Sequence, residues 1–101
     1  MDLHEACYVG RLDVVRQLLA DGADPNAPAS GERAWISATN EPRPLNCVVI
    51  ARAVTQDHVS IARLLIEHGA IVDESVLADH AAESMGGAND AAMGELLRRA
   101  P

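Results

Sequence analysis

The apolar residues of this chain recur at helical spacing, and they do so in blocks. Val14, Val15, Leu18 and Leu19 lie on one stripe of an amphipathic helix. Gly22 follows, where a residue without a Cβ can end a helix in the left-handed conformation cheaply. Ile61, Ala62, Leu65, Ile66 and Gly69 repeat the design 47 residues later. Residues 14–23 and 61–70 align without a gap, with Arg16 over Arg63 and Gly22-Ala23 over Gly69-Ala70. Asp24-Pro25-Asn26 after the first block and Asp73 after the second bring turn chemistry.

A shorter helical pattern precedes each block. In the first unit it is Leu3-His4-Glu5-Ala6-Cys7-Tyr8-Val9, closed by Gly10. In the second it opens at Pro44-Leu45, where proline suits a first turn, and runs through Cys47, Val48, Ile50, Ala51 and Val54. A third, weaker copy follows. Ser75 caps its first helix, Val76 and Leu77 open it, and Ala78, Ala81 and Ala82 continue it. Met85-Gly86-Gly87 breaks it, and Asn89 or Asp90 caps a last helix carrying Ala92, Met93, Leu96 and Leu97. The step from Leu65-Ile66 to Leu96-Leu97 is 31 residues and that from Leu45 to Leu77 is 32. Arg98 and Arg99 sit where the final helix dipole favours positive charge. The pattern predicts an all-α fold whose unit is helix, tight turn, helix, turn.

Composition sharpens this. A chain of 101 residues is one domain, and one this short buries only about 60–65% of its unfolded surface. With one Trp, one Tyr and no Phe, the core must be built from Ala, Val, Leu and Ile, which suits closely packed helices. All eight basic residues are Arg, so chemistry that needs a lysine amine is excluded. Arg without Lys, together with abundant Ala, is the bias of a GC-rich bacterial genome. The formal charge of −7 repels phosphate backbones, which makes nucleic acid a poor partner. It suits either plain solubility or a basic protein partner. Cys7 and Cys47 lie inside apolar helical patterns, as buried free thiols do. No basic-then-apolar leader opens the chain and no apolar run nears the ~20 residues of a membrane span, so a cytoplasmic location is expected.

Leu3-His4-Glu5-Ala6, Gly10, Val14-Val15, Leu18-Leu19 and Gly22-Ala23-Asp24-Pro25-Asn26 resemble the ankyrin repeat. Pro44-Leu45 and Leu64-Leu65-Ile66-Glu67-His68-Gly69-Ala70 are similar to the same pattern. The resemblance implies a short solenoid of about three repeats, at about 1–26, 44–74 and 75–100, within a single domain 1–101. It implies loops projecting on one side and a partner protein held by those loops and the first helices. It also implies that His4 and His58 are structural, bonded to turns between helices. No catalytic residue, metal or cofactor comes with it. Three departures stand out. Residues 27–43 make a connection of 17 residues, longer than the usual hairpin turn. Leu3 to Leu18 is 15 residues, but Leu45 to Leu65 is 20 and Leu77 to Leu96 is 19, so the later units hold an extra helical turn or a longer inner loop. The terminal units lack the polar outer faces expected of caps.

The 27–43 insertion is the most informative segment, because long loops in small domains are usually functional or disordered. It carries Trp35 between Arg33 and Arg43, and Trp and Arg dominate interface energetics. The plainer alternative is that Trp35 and Ile36 fold back over the second helix pair. Expected contact residues are Glu32, Arg33 and Trp35 in the insertion, with Tyr8 and Arg11 in the first unit. His4 and Cys7 share a helix face, but the remaining Cys47, His58, His68 and His80 are not spaced as zinc ligands. Cys7 or Cys47 with His4 or His80 and Asp79 supply the side chains of a nucleophilic hydrolase without the strand-turn-helix context such a site needs. Asp21, Asp24, Glu32, Glu41, Glu67, Asp73, Glu74, Asp79 and Glu83 form either a solvated face or a docking surface for a basic partner. The expected function is therefore a non-catalytic protein-binding module, monomeric or weakly self-associating. Two narrower alternatives are an immunity protein or inhibitor that plugs a basic toxin, and a self-assembling protein that buries its incompletely capped ends.

Overall fold

The computed structural model describes residues 1–29, 42–51, 54–83 and 86–100. Among them the chain forms six helices and no strand: α1 (Leu3–Val9), α2 (Leu12–Ala20), α3 (Pro44–Val49), α4 (Gln56–Glu67), α5 (Glu74–Glu83) and α6 (Ala88–Arg99). They pack in two rows. α3 lies between α1 and α5, and α4 lies between α2 and α6. α1 also packs on α2, and α3 on α4.

Local chemistry sets the helix ends. Asp2 caps α1 by accepting from the Glu5 N–H at 2.8 Å. Gly10, at φ 83, closes it with its N–H on the Ala6 carbonyl. α2 and α4 end alike, with Gly22 and Gly69 in the left-handed region. Ala23 N–H returns to Leu18 O at 3.0 Å and Ala70 N–H to Leu65 O at 2.9 Å. The 47-residue repeat of the sequence is thus a repeat of hydrogen bonds.

The core is aliphatic. Ala6, Cys7, Val15, Cys47, Val48, Ile61, Ala62, Leu65, Val76 and Met93 have no exposed surface. Each large aliphatic side chain buried there stabilises by roughly 1.5–3 kcal/mol. α3 is the centre: every residue from 44 to 51 is buried.

Four expectations need correction. α3 stops at Val49, because Thr55 must be extended (ψ 174) to cap α4 and the chain turns before it. Val76 of α5 fills the core, while Leu77 is 42% exposed, so the step from Leu45 is one residue shorter than expected. Asp73, not Ser75, caps α5: its Oδ1 accepts from Ser75 N–H at 3.1 Å and Val76 N–H at 3.2 Å. Gly87 is the N-cap of α6 without a side-chain bond, which places Asn89 and Asp90 inside its first turn.

The Asp73 carboxyl is also an electrostatic joint. Burial pushes its pKa up, but Ser75, the Val76 N–H and the Arg43 guanidinium at 2.6 Å outweigh this and hold it below the ordinary value. A carboxyl lowered in the folded state stabilises above its unfolded pKa and loses that effect as pH falls through the folded one. Asp73→Ala is therefore expected to cost about 1 kcal/mol at neutral pH. The difference from wild type should shrink in acid, as urea unfolding at both pH values would show. An equal cost in acid would mean that the charge plays no part.

Candidate protein-interaction surface

The hairpin loops after α2 and α4 are tied to each other. Asn26 Nδ2 donates to Gly69 O at 2.9 Å, and Ile71 N–H donates to Asn26 Oδ1 at 2.8 Å. Asn26 itself is set by an Asp24 turn, its N–H on Asp24 Oδ1 at 2.8 Å. The loops therefore form one ledge, on which Ile71 is 57% exposed.

The insertion leaves this ledge through a closed neck. Ala29 N–H donates to Pro42 O at 2.8 Å, and both residues are buried. His4 Nε2 donates to Ala27 O at 2.7 Å and ties the start of α1 to one stem. Arg43 holds the other stem, with its guanidinium on Asp73 and its N–H on Asn46 Oδ1 at 3.0 Å. Asn46 is fully buried and donates through Nδ2 to Asp79 Oδ2 at 2.8 Å, which joins α3 to α5.

The opposite end of the first helices carries a second joint. His58 Nε2 donates to Tyr8 O at 3.0 Å, and His58 Nδ1 accepts from Thr55 N–H at 3.0 Å. The carbonyl can only accept, which fixes the ring's orientation. His4 and His58 are thus bonded to turns, as the resemblance implied.

Of the expected contact residues, Glu32, Arg33 and Trp35 lie outside the described residues, as does Glu41. Tyr8 is half-buried at the end of α1. Arg11 is exposed and pairs with exposed Asp13 at 3.2 Å, a contact worth little. Tyr8 lies near the C-terminal end of α1 and Arg11 just before α2, whereas the neck is tied to the start of α1 through His4. Sequence reasoning missed Ile71 and Leu77. The exposed large hydrophobics of the described residues are Met1, Val9, Ile71 and Leu77, and none of them is on α2, α4 or α6.

The nucleophile candidates have a different role. Cys7 and Cys47 are fully buried free thiols. Burial, with lesser help from Cys47 and Asp2, pushes the Cys7 thiol far above its ordinary range. A thiol held protonated is neither nucleophile nor ligand. Among the described residues no three His, Cys, Asp or Glu side chains are grouped to hold a metal, and no helix is long and apolar enough to cross a membrane.

What these elements define, among the described residues, is an all-helical module of two packed rows, α1–α3–α5 and α2–α4–α6. Residues 3–30, covering α1, α2 and the loop that follows, match the family model of the ankyrin repeat. Ankyrin repeats generally mediate protein–protein interaction and are not catalytic. No curated protein and no solved structure matches the chain.

Proposed function

We propose that the chain is a non-catalytic protein-binding module: three stacked ankyrin-type units in a single domain, meeting a partner with their first helices and loop side. The observation that supports this reading is that the exposed large hydrophobics among the described residues, Met1, Val9, Ile71 and Leu77, lie on or beside α1 and α5 and in the loop after α4, and none on α2, α4 or α6. The α2–α4–α6 row instead presents charged side chains such as Arg16, Arg63, Glu67 and Glu95.

A basic partner suits the chain. Asp21, Asp24, Glu67, Asp73 and Glu74 are exposed at or beside the loop ledge, and Arg43 there is already paired with Asp73. An inhibitor of a basic toxin is the narrower form of this reading and draws on the same acidity. The insertion, with Glu32, Arg33 and Trp35, leaves from the same ledge and supplies the aromatic anchor. Tyr8 and Arg11 extend the contact along the first unit.

Affinity capture from the native host, with folding checked by circular dichroism, tests this. Wild type is expected to retain a protein that both Ile71→Glu and Trp35→Ala lose, each with at least a tenfold weaker Kd, or about 1.4 kcal/mol. Retention unchanged in both variants would move the contact off the loop side.

A further inference from the structure

The joint between the first two helix pairs is a plug in a seat. The His58 ring of α4 lies against Gly10, in the turn between α1 and α2, and donates to Tyr8 O at 3.0 Å. A Cβ on Gly10 would stand 2.8 Å from His58 Cε1, so the seat exists only because the residue is glycine.

The last pair repeats the seat. Gly86, three residues past the end of α5, is left-handed at φ 81 like Gly10 at φ 83, and a Cβ there would meet nothing within 4 Å. A cleft of about 350 Å³ opens there, lined by His80, Gly86, Gly87, Asp90, Gly94 and Arg98 together with Ala91, all from the last pair. Gly94 lets two of the lining side chains lie against α6: a Cβ there would meet His80 Nε2 at 3.0 Å and Arg98 Nη1 at 3.3 Å.

The first pair repeats the plug. Under the 47-residue alignment His58 falls on Arg11. Arg11 is exposed at the start of α2, and α1–α2 is the first pair described. A guanidinium donates to turn carbonyls as an imidazole N–H does.

We infer that the chain associates head to tail with a second copy of itself, Arg11 of one copy entering the Gly86–Gly87 cleft of the next. The charges match in alternation. The incoming Arg11–Asp13 pair meets a cleft that carries Asp90 and Arg98. Beside the cleft, Leu77, Ala78 and Ala81 form an exposed stripe on α5, and Val9 of α1 is 50% exposed at the other end. The two surfaces differ, so the contact is heterologous and extends beyond a dimer unless it closes into a ring.

The inference rests on the stacked-unit reading, and sedimentation equilibrium of the untagged full chain tests it separately. Wild type is expected to gain mass steadily from micromolar to near-millimolar concentration. Arg11→Glu removes the plug. Gly87→Arg blocks the seat, and a Cβ at Gly87 meets nothing within 4 Å, so the variant folds. Each variant alone should associate at least tenfold more weakly. Mixed, they retain one good plug and one good seat, and should form a one-to-one dimer and nothing larger. A wild type that stays monomeric overturns the inference, as does a mixture no heavier than its parts. If the Gly10→Ala loss described below is nonetheless observed, the stacking within the chain stands and only the contact between copies falls.

Discussion

Replacing Gly10 by alanine is expected to remove about 2–5 kcal/mol of stability, a large share of what a small domain possesses. Two costs add. The backbone there is left-handed at φ 83, which costs a residue with a Cβ roughly 1–2 kcal/mol. The new methyl would also stand 2.8 Å from His58 Cε1 and 3.1 Å from Nε2, so the ring must leave. With it go the bond to Tyr8 O and the Nδ1 bond that caps α4 through Thr55, worth about 1–3 kcal/mol as buried groups lose partners. Gly22 and Gly69 are the controls. They lie at φ 97 and φ 99 with nothing within 4 Å of a Cβ, so alanine there should cost only the backbone term of about 1–2 kcal/mol. Urea unfolding of the three variants separates the two terms. If Gly10→Ala costs no more than Gly69→Ala, the His58 seat does not hold the first two pairs together.

Asn46→Ala should rank next, at about 2–4 kcal/mol. Asn46 is fully buried and makes three bonds: it donates to Asp79 Oδ2 at 2.8 Å and Ser75 Oγ at 3.4 Å and accepts from Arg43 N–H at 3.0 Å. Alanine leaves a cavity and takes a donor from a carboxylate that is 4% exposed. The cost is specific to that pairing. In an Asp79→Ala background the same substitution should cost less, with a coupling of about 1–3 kcal/mol in a double-mutant cycle. Equal costs in both backgrounds would show that α3 and α5 are joined by apolar packing alone.

How much of this was legible in the sequence depends on how sharply each segment contrasts apolar with polar. α2 and α4 were legible because Val15, Leu19, Ile61 and Leu65 face the core and Arg16, Gln17, Arg63 and Glu67 face water. α5 was not, because Val76, Leu77, Ala78, Ala81 and Ala82 are apolar on every side. Periodicity then cannot choose between Val76 and Leu77; the cap at Asp73 and the Asn46–Asp79 bond do. The end of α3 was hidden for a related reason. Ile50, Ala51 and Val54 look helical in sequence, but Ile50 and Ala51 are buried where the chain turns. The insertion at 27–43 was legible as a length anomaly, while its neck was not, since Ala29 and Pro42 carry no signal of pairing. Ile71 escaped notice because an apolar residue beside a helix end reads as core until the loop ledge shows it facing out.

The neck has an evolutionary consequence. Because Ala29 and Pro42 meet at 2.8 Å, the helices experience the insertion as a single fixed pair of attachment points. By loop-closure entropy alone, lengthening a connection between two fixed ends costs only about 0.6 kcal/mol per doubling. Changes in the length of the insertion therefore reach the helical frame through these two attachment points. That is the property of a graft site, where new recognition can be tried while the frame stays unchanged.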